Sequence, residues 1–401
     1  MRAPPLFLLL AATASAGVVD EAAIRIQHEL QAQRQRLEAV IASVGTRLPA
    51  PSDAVDVTKG FGVPADGSRD AAAPINRAMR EAHGRALYFP PGTYLLMDSI
   101  RPVSGSQLYF SSHAEMRRGF NGGNGDGRGA LVQGAFNFSV ADVTVVGGVW
   151  TNPDHACVGR VLTAIGSRWT IDSLRVTSWA PAQGPSSCVN LAGDDLTLRN
   201  CVLTGSAGKI NQDGIRVMCG AHIRISDCYV ESGDDCFCAF PTEFNRGPLS
   251  GRGLSDVAFE RCFGASAAAR FLACGETAVT VFLHQAAMDQ LNAVPVSGIR
   301  FAACRGMSRA AAAHAPAFFV VSADTNSGAS VANIKFVGCV GLGGRSADQG
   351  ALINAAPGAR CADITLEQCE IFGGRRQVLT VTPGPTGVRI VACRLNGVPS
   401  R

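Results

Sequence analysis

The chain has 401 residues with 45 glycines and 14 cysteines, 6% aromatic and 17% charged residues, and a net charge of +4. So small a net charge does not suggest nucleic-acid recognition. The composition suits short turns and tightly stacked strands, and no internal stretch is long and apolar enough to form a membrane-spanning helix.

In chain order, Arg2, the apolar run Leu6 to Ala12 and Ala14-Ser15-Ala16 read as a secretory signal over residues 1–16, with cleavage after Ala16. The predicted location is therefore secreted or periplasmic. Val19 to Val44 reads as a helix, because Leu30, Leu37 and Val44 recur every seven residues beside Ile41 and Leu48. Residues 17–50 are expected to form a helical cap or spacer, with a short oligomerising coil as the alternative. Gln33 and Arg34 interrupt that seam, and Pro49 and Pro51 end the helix. A monomer is expected, and a trimer if the coil forms.

Residues 51–401 read as one domain. Its opening segment, Val57 to Leu96, holds Gly60-Phe61-Gly62, Asp66-Gly67 and a short helix through Ile75 and Met79, for which Asp70 suits the N-cap. The turn Pro90-Pro91-Gly92 follows. This segment resembles the start of the pectate-lyase-type β-helix superfamily, which implies a helix covering the first rung.

A repeat then runs almost to the end: apolar, any, apolar, two corner residues, then a small residue or Cys. Leu196-Thr197-Leu198 leads to Cys201, Ile223-Arg224-Ile225 to Cys228, and Val257-Ala258-Phe259 to Cys262. Ile299-Arg300-Phe301, Ile334-Lys335-Phe336, Ile364-Thr365-Leu366 and Val388-Arg389-Ile390 lead likewise to Cys304, Cys339, Cys369 and Cys393. Alternation with period two marks strands with one buried face. One strand–corner–strand unit per repeat, with no helical segment between, predicts an all-β fold: a right-handed parallel β-helix, a solenoid with a short N-terminal helical cap.

The cysteines can be read as a disulfide framework of an exported protein or as a column of buried thiols. Seven cysteines at one position of the repeat favour the column. Cys236-Phe237-Cys238 alternates along a strand, so both thiols are expected to face the core.

Chemistry concentrates in two motifs one rung apart, Asn211-Gln212-Asp213-Gly214 and Gly233-Asp234-Asp235-Cys236. Stacked by their strands, Cys188 falls above Ile215, Ile215 above Cys236 and Val217 above Cys238, so that Asp213 and Asp234 begin neighbouring strands roughly 4.8 Å apart. Two carboxylates that close cannot both ionise freely, which gives an acid and a base on one surface. With Cys236 inward, Asp235 points outward, and Asp234 must sit at a bend. Arg216 and Arg270 can bring positive charge toward an acidic sugar, or be solvated surface. Asp residues also populate plain turns, and Gly193-Asp194-Asp195 is read as one.

These residues resemble the polygalacturonase family, glycoside hydrolase family twenty-eight, whose pattern runs Asn-Thr-Asp, Gly-Asp-Asp, Gly-His-Gly, Arg-Ile-Lys. Gln212 replaces the Thr of the first motif, the second matches fully, and the last two are missing; His284 and His314 fall at unmatched positions. The resemblance implies Asp234 as general acid, Asp213 and Asp235 as the residues that position and activate water, and Asn211 as part of the substrate-binding motif. Three functions stay open: a glycoside hydrolase needing no cofactor, a uronate lyase or epimerase holding Ca²⁺ on the Asp cluster, and a non-catalytic glycan-binding, adhesin or tailspike-like β-helix. In each the partner is a polysaccharide, acidic if the arginines face it.

Overall fold

The computed structural model describes residues 9–10, 16–121, 129–153, 160–178, 186–204, 212–239, 252–267, 271–274, 295–308, 318–323, 330–343, 349–355, 359–373 and 377–400. Each rung of the solenoid has three strand segments. In one rung these are Ser186–Asp194, Thr197–Arg199 and Val202–Leu203; the next rung runs through Gln212–Ser226 and Tyr229–Ser232. Nearly all pairing is parallel and between neighbouring rungs, with the third segments forming a sheet of their own. The fold is the expected right-handed parallel β-helix.

Two stacks of corner residues in the left-handed region turn the chain. One separates the first and second segments and includes Asp142, Arg168, Asp195, His222, Asp256, Asn333 and Asp363, with φ between 50° and 60°. The other is the second corner residue of the sequence repeat: Ser173, Asn200, Asp227, Arg261, Ala303 and Gln368. A single residue at positive φ reorients the strand without breaking alternation. Ile223, Ile225 and Cys228 therefore face inward above Val257, Phe259 and Cys262. Phenylalanines stack in the same way: Phe259, Phe301 and Phe336 lie ring on ring at 4.9 Å.

The cysteine column is buried, and thirteen cysteines of the described residues are free thiols. Burial pushes the Cys188, Cys201 and Cys228 thiols well up. Cys157 lies outside the described residues.

The first rung is covered by α3 (Val57–Phe61) and α4 (Ala72–Glu81). Val57, Ile75, Ala78 and Met79 join the core beside Leu87 and Phe89. Asp70 closes the N-terminus of α4, accepting from Ala72 N at 2.9 Å.

The long helix α1 (Ala16–Ala42) neither caps a rung nor forms a free spacer. It lies along the third-segment sheet, burying Ala22, Ile26, Leu30, Leu37 and Ile41 against Val202, Tyr229, Ala265, Met307, Val340 and Phe372. Ion pairs from Arg25 to Glu370, Glu29 to Arg305, Arg34 to Glu231 and Arg36 to Asp227 show the helix descending from late rungs to early ones. Its 27 residues span about 40 Å, the height of about eight rungs. Half-exposed pairs contribute little energy, so apolar burial holds the helix and the pairs fix its register.

After α1 and the short α2 (Val44–Arg47), the chain is tied to the solenoid at Asp172, which is 1% exposed. Arg199, Asn200, Ser173 and Arg47 all donate to its carboxylate. Burial pushes this carboxyl up, but the bonds from Ser173, Asn200 and Arg199 outweigh it and hold it below the usual range. A depressed native pKa stabilises the fold above the unfolded value and ceases to do so as pH falls. Asp172→Ala is expected to cost about 3 kcal/mol in denaturant unfolding, the low end for a buried charge whose cationic partners stay half-exposed. In the wild type this contribution is expected to hold from pH 7 to 5 and fade below about pH 4. A second measurement addresses the thiols: alkylation of the native protein is expected to leave the thirteen buried cysteines unmodified, and alkylation after denaturation to label them.

Candidate functional site

The acidic motifs meet where the third segment of one rung turns into the first segment of the next. Strand Gln212–Ser226 pairs with Ser186–Asp194 on one side and Phe237–Ala239 on the other. Val189 aligns with Ile215, and Ile215 with Phe237. The register is thus one residue away from the expected stacking. Cys188 sits above Gly214 rather than Ile215, and Phe237, not Cys236, lies under Ile215. Carrying the register back two residues sets Asp235, not Asp234, beside Asp213.

The shift against Ser186–Asp194 arises at a bulge between Leu191 and Ala192, and the one against Phe237–Ala239 at the turn Gly233–Cys236. Asp234 occupies a bend and is half-buried. Its N–H donates to the Gln212 carbonyl at 3.0 Å. Its own carbonyl accepts from the hydroxyls of Ser232 and Ser266, each at 2.6 Å. Ser232, Ser266 and Ser308 stack in register on successive rungs, so a serine ladder pins the bend. The extra residue consumed there turns Cys236 and Phe237 into the core and leaves Cys238 outside it, packed with Ala273. The expectation that both thiols face the core is corrected accordingly.

Asp213 and Asp235 are 5% and 2% exposed. Their carboxylate oxygens and the Cys238 sulfur lie within 4.8 Å of one another, and Asp234 stands outside that group. Asp235 N donates to Asp213 Oδ1 at 3.2 Å, and Arg216 Nη2 donates to Asp213 Oδ2. Burial first, then the charges of Asp213 and Asp235, push the Cys238 thiol well up, so it stays protonated and is a poor nucleophile. The same cluster is the one group of oxygen and sulfur donors among the described residues spaced to hold a cation, and Arg216 already supplies positive charge there. Asn211 and Arg270 lie outside the described residues, as do His284 and His314.

The second Gly-Asp-Asp tripeptide has a different role. Gly193 stands in a column with Gly166 and Gly220, at φ 131°, where any Cβ would collide with the Gly166 carbonyl. Asp194 accepts from Ala221 N and from Arg252, and Asp195 is one of the left-handed corners. It is structural, as expected.

Sequence reasoning missed a row of polar side chains that extends the site toward earlier rungs. Leu162, Ala164, Val189, Leu191, Ile215 and Val217 fill the core, so Thr163, Asn190 and Arg216 between them face outward. They align in one column that begins at Gln133. Ser187 aligns with Asp213. Thr163 Oγ1, Ser187 Oγ and both amide atoms of Asn190 are buried and have no hydrogen-bond partner among the described residues. Each such group costs about 1–3 kcal/mol. Alternation alone could have signalled them: Thr, Ser and Asn at outward positions of otherwise apolar strands.

Among known proteins, the family model described as rhamnogalacturonase A/epimerase, pectate lyase-like, matches residues 54–246. No curated protein sequence matches the chain. Of solved structures, the exopolygalacturonase of Thermotoga maritima superposes over 91% of this chain and 97% of its own, at 12% identity and a TM-score of 0.52. The tailspike of E. coli bacteriophage HK620, in complex with a pentasaccharide, superposes over 84% of this chain and 65% of its own, at 11% identity and a TM-score of 0.56. The catalytic unit of an α-1,3-glucanase from Streptomyces thermodiastaticus strain HF3-3 covers 85% and 68%, at 12% identity and a TM-score of 0.52. At such identities these likenesses bear on the fold alone. With the family match, the chain resembles the pectate-lyase-like β-helix superfamily.

Proposed function

We propose that this pectate-lyase-like right-handed β-helix is an exported glycoside hydrolase that cleaves a uronate polysaccharide with inversion. The observation that carries the proposal is the convergence of Asp213 and Asp235 within 4.8 Å, with Arg216 on Asp213. A structural role alone would not call for two carboxylates packed together and nearly buried, since that is costly without compensation. In this mechanism Asp213 and Asp235 orient and deprotonate a water. Asp234, held on the bend outside that close pair, protonates the leaving oxygen. Inversion requires acid and base to be roughly 6.5–9.5 Å apart so that water fits between them, and Asp234, outside the close pair, is the carboxylate assigned as the acid. Arg216 supports an anionic substrate, because its guanidinium lies at the carboxylates and can pair with a sugar carboxylate. Export is supported by the leader-like residues 1–16.

The test is release of new reducing ends from polygalacturonate, with the anomeric form of the first product read by NMR. Asp234→Asn and Asp213→Asn are each expected to lower kcat by about a hundredfold to ten-thousandfold. The melting temperature of the Asp234→Asn protein should match the wild type. Unsaturated products that require calcium would replace the hydrolase with a lyase. Binding without turnover would make the protein a glycan-binding β-helix. N-terminal sequencing of the exported protein is expected to begin at Gly17.

A further inference from the structure

A second concave site lies across α1 from the acidic cluster. On one edge of the helix Arg34 pairs with Glu231, toward Asp234, and on the opposite edge Arg36 pairs with Asp227. The third segment Tyr229–Ser232, with α1 packed upon it, separates Asp227 from Asp234. Along the Arg36 edge runs a cavity of about 400 Å³. Gln33 and Arg36 of the helix line it, with the corners Asp227, Arg261 and Ala303, and with Phe263 and Arg305 of the third-segment sheet. The corners explain why it is open. Asp227 and Arg261 place polar side chains at the left-handed position, but the next two rungs place Ala303 and Gly338 there, at φ 51° and 59°. A left-handed alanine has neither the freedom of glycine nor the local bonding of asparagine or aspartate, so backbone preference does not account for it. A Cβ at Gly338 would meet no atom within 4 Å. The corner stack thus loses its side chains over two rungs, and Arg305 lines the space they leave.

Three guanidinium groups line this cavity with one carboxylate. Asp227 accepts from Arg36 Nη2 at 3.1 Å and from Arg261 Nε and Nη2 at 3.1 and 2.7 Å. Gln33 accepts from Arg36 Nε at 2.9 Å. Arg305 donates from Nη1 to the Gly338 carbonyl at 2.9 Å, and its Nε lies 3.1 Å from Glu29. Glu260 stands 3.7 Å from Arg261 and is taken up by Arg300 at 2.5 Å. A guanidinium has five N–H groups, more than these bonds use, so donors remain on all three arginines. Arg36 and Arg261 are half-exposed and Arg305 is partly exposed, so solvent and ligand reach them. Phe263, partly buried in the same wall, adds apolar surface. Guanidinium groups take a carboxylate through paired N–H donors. A ligand that matches both features carries an oxyanion on a small ring with C–H faces, which describes a uronic acid unit.

We infer that this cavity is a second saccharide site, which takes one acidic sugar unit by its carboxylate on a different face from the acidic cluster. The choice of a uronate rests on the proposed polysaccharide function; the site itself stands on the cavity, the three arginines and the missing corner side chains. A second site engaging the same polymer raises the effective concentration of chain at the first.

Ala303→Gln fills the cavity without removing a charge, using a side chain that Gln368 already places at this corner. Arg261→Gln removes a guanidinium with the same side chain. Binding of galacturonate disaccharide is measured by titration calorimetry in the Asp234→Asn background, which keeps the ligand intact, with inorganic phosphate as competitor. Hydrolysis and thermal unfolding are measured on the single variants. Each variant is expected to weaken one bound disaccharide per chain about tenfold. The kcat of both, and the melting temperature of Ala303→Gln, should match the wild type. Unchanged binding overturns the inference, as does a loss in Arg261→Gln alone, which would trace to the broken Asp227 bonds. Binding lost only with a fall in the Ala303→Gln melting temperature is damage to the fold and overturns it as well. Phosphate competing as strongly as galacturonate marks a plain anion site and overturns the sugar. A disaccharide lost in Ala303→Gln from a protein that hydrolyses nothing keeps this site and overturns the hydrolase. Hydrolysis with disaccharide binding that Ala303→Gln leaves intact does the reverse.

Discussion

Everything in this molecule depends on the fact that a rung can satisfy its backbone only through the rungs above and below it. Each strand's amides pair upward and downward, so one rung's register is inherited from its neighbours. Side chains then stack in columns: cysteine on cysteine, phenylalanine on phenylalanine, serine on serine. A slip of one residue would exchange the inner and outer faces of a strand. The corners prevent it, because each is one residue held at positive φ at the same place in every rung. Chemistry is therefore located by register before it is located by residue type.

The acidic cluster shows how sensitive that location is. Moving the register by one residue exchanges Asp234 for Asp235 as the neighbour of Asp213. The exchange is made by the bend at Asp234, whose carbonyl two serines hold from successive rungs. Its companion Gly193-Asp194-Asp195 has the same composition and stands in mid-rung, where glycine permits close rung contact and aspartate makes the corner. Identical tripeptides thus take different roles according to which turn of the rung they occupy.

How much of this was legible in the sequence follows the same division. The strands, the Asn200-type corners and the cysteine column are periodic, and periodic features announce themselves. So did the α4 cover, through Asp70 and the spacing of Ile75 and Met79. The stacking of Asp213 on Asp234 and the strict alternation read through Cys236-Phe237-Cys238 failed, because the turn at Gly233–Cys236 takes one residue more than a plain strand continuation. The helix over residues 17–50 was legible as a helix from Leu30, Leu37 and Val44. Its docking along the third-segment sheet was not, since its partners Tyr229, Met307 and Phe372 are contributed one per rung and leave no local pattern. Thr163, Ser187 and Asn190 were passed over because each looks ordinary in its own strand, and they become a row only when the strands are stacked.

That row also bears on how the fold balances stability against use. Inside the coil, aliphatic, aromatic and thiol side chains fill every rung, and the buried Asp172 is met by several donors. The architecture can therefore satisfy polar groups where structure alone is at stake. Among the described residues, Thr163, Ser187 and Asn190 on the outward face near Asp213 carry buried polar atoms without a hydrogen-bond partner. Leaving them unbonded there lowers the stability the scaffold could reach. A solenoid makes such a compromise readily, because each rung carries its own share of the core and a polar substitution on one outer face leaves the inner columns intact.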